Sequence, residues 1–213
     1  MSLAEQFHYS DFTRDNYRLL LRKAKENYVF RGYTDYRADE RFVLWRHDVD
    51  ISIHAAYKLA VIEAEEGIAS TYFLLPHSEF YNLLEAEVAG KVRDILALGH
   101  HIGLHFDNVF YGIKDVPTLE SKLKFEAGLL SSIFETSVDT FSFHNPDAWT
   151  LQQRNATYAG LVNTYAAHFQ TSVGYCSDSN GYWRHRRLAD VLEQAGDACL
   201  QVLTHPVWWV DTP

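Results

Sequence analysis

Strand-like and helix-like segments alternate along almost the whole chain, and this alternation limits its fold more than any other feature. "TRDNYRLLLRKAKEN" (13–27) opens on Thr and carries Tyr17, Leu20, Leu21 and Ala24 on one helical face. "RFVLWRH" reads as a buried strand, and "SIHAAYKLAVIEAEEG" follows as a helix opened by Ser52 and closed by Gly67. The cycle continues through strand-like "STYFLL", helical "FYNLLEAEVAGKVRDILALG", strand-like "HIGLH" and helical "TLESKLKFEAGLLSSIF". "DTFSFH", "LVNTYAA", "SVGYCSD" and "CLQVLTH" are further short runs rich in aromatic or β-branched residues, with a helix expected over 186–196. Such alternation predicts βαβ units and a parallel sheet. No repeat, linker or low-complexity tract interrupts it, so residues 1–213 are expected to form a single domain.

The ionisable residues fall at one kind of place. His47-Asp48-Val49-Asp50 ends the first strand, Pro76-His77 the second, His105 the third and His144-Asn145-Pro146 the fourth. Ser177-Asp178 ends the sixth and His205-Pro206 the last. In a parallel α/β barrel these carboxyl ends converge on one face, where active sites are built. A scatter of surface residues would not keep this position, so the pattern points to an enzyme.

Asp48 and Asp50 stand i, i+2, so on a strand both side chains point to one side. Two carboxylates so placed repel unless a cation or a shared proton intervenes. A helix cap explains one of these acids but not His47 and Asp48 as well. In "GHHIGLH" the HxxxH pair His101 and His105 would chelate together on a helix. The apolar alternation of Ile102, Leu104 and Phe106 makes this a strand instead. There i and i+4 lie roughly 13 Å apart, too far for one ion, so His105 is retained and His100 and His101 read as structural. His144 in "FSFHNP" and His205 in "LTHP" either serve the site or bond loop backbone. Asp178 in "CSDSNGYWR" reads equally as a site residue or an Asx turn.

Composition closes off other classes. The net charge is −9 and no basic run occurs, which argues against nucleic-acid or anionic-membrane partners. No apolar stretch approaches the roughly 20 residues of a membrane span. "MSLAEQFHYSDF" lacks the pattern of a secretory signal, and Cys176 and Cys199 show no disulfide or metal spacing. A soluble, cytoplasmic protein is expected.

The segments from about Tyr28 to Trp209 resemble the polysaccharide deacetylases of the NodB-homology superfamily, carbohydrate esterase family 4. That resemblance implies an α/β fold, a distorted (β/α)7 barrel. "RHDVD" is similar to the family's first motif, which makes Asp48 the catalytic base and Asp50 a metal ligand. "GHHIGLH" is similar to the stretch leading into the second motif, with His105 as a ligand. "VLTH" is similar to the last motif, with His205 as the catalytic acid. Two departures mark a divergent branch. Val109 stands four residues after His105, where the family has its second ligating His, and "FHNP" lacks the family's Arg beside the base. His144 is expected to complete the metal set, with Asp178 as the alternative. Arg46 or Arg184 is expected to replace the missing Arg, with Asp178 and Trp183 as further orienting or substrate contacts.

The expectation is thus a metal-dependent hydrolase of carbon–nitrogen bonds that deacetylates a small acetamido sugar or sugar derivative. Zn²⁺ is the expected ion, and mixed N/O ligation also suits Ni²⁺ or Co²⁺. Asp48 takes a proton from the attacking water and His205 protonates the departing amine. Tyr72, Phe110, Tyr111, Trp149, Trp183, Trp208 and Trp209 read as core or rim packing before sugar-stacking surfaces. Two other readings stay open: hydrolysis of another small amide on the same barrel, or a non-catalytic sugar-binding relative.

Overall fold

A nine-stranded curled sheet organises the chain, seen in a computed structural model that describes residues 7–37 and 39–212. Its strands are Val29–Arg31 (β1), Phe42–Val49 (β2), Thr71–Leu74 (β3), His101–Asp107 (β4), Thr140–His144 (β5), Thr157–Tyr158 (β6), Leu161–Asn163 (β7), Gly174–Ser177 (β8) and Leu200–Thr204 (β9). The helices are Arg14–Lys25 (α1), Ile53–Glu65 (α2), Ala86–Ala97 (α3), Asn108–Tyr111 (α4), Val116–Phe134 (α5), Ala167–Ser172 (α6) and Leu188–Gln194 (α7). Seven strands run parallel in the order β7-β5-β4-β3-β2-β9-β8. β6 adds to β7 antiparallel, and β1 pairs with the first half of β2. Among the described residues the edge strands β6 and β8 share no ladder, so the barrel is open between the β6–β7 hairpin and β8.

Alternation along the strands divides two apolar layers. Val43 and Trp45 of β2 face outward against Tyr17 and Leu21 of α1, whereas Phe42 and Leu44 face inward with Phe73, Tyr33 and Phe169. The helices begin where side chains cap them. Thr13, Ser52 and Asp115 accept from the backbone N–H three residues on, at 3.1, 3.1 and 2.9 Å.

Several segments differ from the sequence pattern. The helix expected from Phe80 starts only at Ala86, because Ser78 and Asn82 accept from the N–H of Phe80 and Leu84 and hold local turns. Glu85 then caps Val88 N at 2.8 Å. The strand expected over 161–167 stops at Asn163, whose Oδ1 accepts from Tyr165 N, and helix α6 follows. β1 and the tight β6–β7 hairpin are additions. Ala159 and Gly160 turn that hairpin with φ of 52° and 82°, the left-handed pair that a two-residue connection requires.

A charged cluster ties the helical layer to the sheet. Glu63 of α2 is fully buried and accepts from Tyr72 at 2.6 Å and from Tyr17. His47 Nε2 lies 2.7 Å from the same carboxylate, and its Nδ1 lies 2.7 Å from Thr204 Oγ1. Burial pushes the Glu63 carboxyl up, but His47, with help from His100 and Tyr17, outweighs it and holds the group below the usual range.

Two predictions follow from this packing. A Cβ at Gly103 would meet Phe73 Cε1 at 2.6 Å and Thr140 Cγ2 at 3.1 Å, and the Phe73 ring is fully buried. Gly103→Ala is expected to lower stability by about 1–3 kcal/mol, read by urea denaturation. A depressed carboxyl pKa contributes stability above its unfolded value, lost as pH falls through the folded one. Below roughly pH 4.3 wild type should therefore lose more stability than Glu63→Gln, and parallel losses would remove Glu63 from this role.

Candidate metal centre

The carboxyl ends of β2, β4, β5, β8 and β9 bring the polar residues to one mouth. Asp50 lies one residue beyond β2, His105 in β4, and His144 closes β5. One ligand atom from each of these three lies within 4.8 Å of the others. His105 Nε2 is 3.0 Å from Asp50 Oδ1, and the rings of His105 and His144 are 5.2 Å apart, centroid to centroid.

The register explains why β5 contributes. His105 stands opposite Ser142 in the β4–β5 ladder, so Ser142 Oγ meets His105 Nδ1 at 2.7 Å. That contact turns His105 Nε2 toward Asp50. His144, two residues beyond Ser142, shares its face. Asn145 then takes φ 45°, a left-handed turn that Asn tolerates, and ends the strand at His144.

The donor set fits a divalent cation. His144 Nδ1 is buried without a hydrogen-bond partner, and the His105 ring at 3.0 Å is the one group close to Asp50 Oδ1 among the described residues, an arrangement that is unfavourable unless something occupies the space between them. Burial pushes the Asp50 carboxyl up, yet the hydrogen bond and positive charge of His105, with His205 and His144, bring it down to about 2. Two imidazoles and one carboxylate are a donor set that suits a catalytic Zn²⁺-type ion. His105 resting on Ser142 supplies the outer support that such ligands use.

Asp48 and His205 flank this set. Asp48 is buried on the inner face of β2, where Arg46 Nη2 donates to its Oδ2 at 3.0 Å and Ser142 Oγ donates to its Oδ1 at 3.5 Å. His105 Nε2 lies 3.8 Å from Asp48 Oδ2, and His205 Nε2 lies 3.8 Å from Asp50 Oδ2. A cleft of about 20 Å³, lined in part by Asp48, Asp50, His205 and Trp208, has room for a single water.

Asp178 orients His205. It is fully buried, its Oδ1 lies 2.6 Å from His205 Nδ1, and both oxygens accept from the His205 N–H at 3.0 Å. Trp209 Nε1 donates to its Oδ2 at 3.0 Å. Burial pushes the His205 imidazole down, but the Asp178 charge and hydrogen bond outweigh it and raise the group to about 9. Both Asp178 oxygens are thus engaged by His205 and Trp209.

The remaining expected residues lie elsewhere. Arg46, not Arg184, sits on Asp48; Arg184 is exposed and makes none of the site's hydrogen bonds or ion pairs. Trp183 is buried, stacks on Phe12 at 5.1 Å and donates to Asp11 Oδ2, in the outer apolar layer. Val109 is 66% exposed, in a turn that Asp107 starts by accepting from Val109 N and Phe110 N. Sequence reasoning missed Ser142, Asp107 and Trp209 as supports of the site. Only the i, i+2 spacing of Ser142 and His144 hinted at the first.

No family model and no curated protein matches the sequence. Solved structures do match. One is a carbohydrate esterase family 4 pseudoenzyme, a mutant with restored enzymatic activity, at 13% identity over 80% of this chain and 58% of that one, TM-score 0.51. A family 4 acetyl xylan esterase from Clostridium thermocellum with a cobalt ion matches at 12% identity over 77% and 73%, TM-score 0.48. The Streptococcus pyogenes deacetylase PplD with acetate matches at 13% over 91% and 83%, TM-score 0.48. At these identities the likeness is one of fold, and the fold is the distorted (β/α)7 barrel.

Zinc titration checks the donor set. Wild type is expected to take up one ion per chain, and Ser142→Ala to weaken that uptake by about 10- to 100-fold through the loss of support for His105. His144→Ala should weaken it further, and unchanged affinity in His144→Ala would remove it from the set.

Proposed function

We propose that the protein is a metal-dependent hydrolase of carbon–nitrogen bonds that deacetylates an acetamido sugar or sugar derivative. The observation that carries this reading is the convergence of Asp50, His105 and His144 within 4.8 Å, with an acid and a base on either side. When bound, a divalent cation polarises the amide carbonyl and acidifies water beside it.

The chain's own groups then divide the proton work. Asp48, held by Arg46 and Ser142, borders the water-sized cleft and accepts the proton as water attacks the acetyl carbon. The C–N bond breaks, and the nitrogen leaves with a proton from His205, because an unprotonated amide nitrogen is a very poor leaving group. Acetate and a free amine are the products. His205 suits the acid role because Asp178 keeps it protonated through neutral pH. Asp178 also fixes its backbone and ring together, which aims Nε2 at Asp50.

Among the described residues no helix is long and apolar enough to cross a membrane. Both cysteines are unpaired, Cys176 buried and Cys199 half-buried, in keeping with the cytoplasmic location proposed.

Acetate release from a panel of acetamido sugars, with Zn²⁺ added, tests the reading. Asp48→Asn is expected to keep its ion and lose turnover by about 10²- to 10⁴-fold. Turnover equal to wild type would remove Asp48 as the base. A chain that binds no divalent ion and releases no acetate would leave a non-catalytic relative in its place.

A further inference from the structure

The open side of the barrel, between the β6–β7 hairpin and β8, holds a cavity of about 390 Å³, in the range of small-molecule sites. It lies on the inner face of the barrel. Its floor is Arg46, its walls include Tyr175, Gln201 and Phe169, and Arg154 stands at its exposed rim. Among the described residues no acidic one lines it, in a chain whose net charge is −9.

Arg46 is only 1% exposed, and one of its nitrogens, Nη2, is engaged with Asp48. Nε and Nη1 are buried without a hydrogen-bond partner, and so is Thr164 Oγ1 in the same lining. Among the described residues eight buried side-chain atoms are left unpartnered. Two belong to the candidate metal ligands and three to Arg46 and Thr164 at this cavity. Unpartnered donors on a buried guanidinium are costly unless an acceptor reaches them. The acceptor that best matches a planar guanidinium fork is an oxyanion, carboxylate or phosphate.

We propose that this cavity binds an oxyanion substituent of the substrate, with Arg46 at its floor and Arg154 at its rim. Arg46 and Asp48 stand two residues apart on one strand, roughly 7 Å along it. An anion on Arg46 therefore lies about one sugar ring from the amide that Asp48 faces. The substrate class becomes a compact anionic acetamido compound, an acidic sugar or a sugar phosphate. This assignment of substrate rests on the hydrolase reading; the binding of anions does not.

Calorimetric titration of the full chain with glucuronate, glucose 6-phosphate, inorganic phosphate and neutral glucose tests it, with and without added Zn²⁺ to separate binding to the ion. At least one anionic sugar is expected to bind about tenfold or more tightly than glucose, and the tighter of the two names the anion. Arg154→Gln and the isosteric Thr164→Val should each weaken that binding severalfold, with zinc uptake unchanged. Equal affinity for anionic and neutral sugars, or anion binding that neither substitution alters, would overturn the inference. Loss of anion preference with zinc uptake and acetate release intact counts against this cavity alone. Anion preference without zinc uptake or acetate release counts against the hydrolase reading alone.

Discussion

Side-chain alternation along β2 is the constraint on which the site and the core both rest. All eight residues of Phe42–Val49 are buried, and three consecutive ones are ionisable. The pleat sends Arg46 and Asp48 inward, where they pair at 3.0 Å, and sends His47 outward to Glu63 at 2.7 Å. A slip of one residue would put Asp48 beside Glu63 and leave His47 alone in the barrel. Removing one partner of a buried pair is worth about 3–5 kcal/mol, so charge fixes this register as firmly as Trp45 and Leu44 do. The outer pair joins α1, α2, β3 and β9 to the strand. The inner pair positions the candidate base.

The same reasoning accounts for the place of His144 in the candidate cluster. The position four residues past His105 is Val109, and Asp107 caps the turn there so that Val109 points to solvent. Across the ladder, Asp107 stands opposite His144 and His105 opposite Ser142. The neighbouring strand thus offers an inward-facing side chain at the depth that Asp50 and His105 need.

The parallel α/β architecture is legible in the sequence because the helical and strand periods alternate without interruption, and the strand ends carry the polar residues. The rejection of His101 beside His105 follows from strand rise alone. Other features need tertiary information. The late start of α3 depends on Ser78, Asn82 and Glu85 taking backbone partners locally, which an apolar count over 80–85 does not reveal. Trp183 lies five residues past Asp178 in sequence, yet packs against Phe12 and Asp11 from the N-terminal segment. Asp178 reads equally as a site or a turn residue until His205 and Trp209, about thirty positions on, are seen to converge on it. Ser142 is invisible by type, since it matters only through its register with His105.

The open seam gives the barrel a property that closure would remove. A closed parallel barrel fills its interior with layers of side chains and has no room for a ligand. Here β7 ends at Asn163, whose amide donates to Gln153 O and Asn155 O and whose Oδ1 accepts from Tyr165 N, and the short strand β6 takes the edge of β7 that a closing strand would need. The short helix α6 covers the gap only in part. Space is therefore left on the inner face beside Arg46, in direct line along β2 with Asp48. Arg46 stands between the two: Nη2 pairs with Asp48, while Nε and Nη1, beside the rings of Phe73 and Tyr165, make no hydrogen bond. An anion docking on the unpartnered edge would draw the guanidinium and, through it, the Asp48 carboxylate, so substrate recognition and the geometry of the base share one side chain.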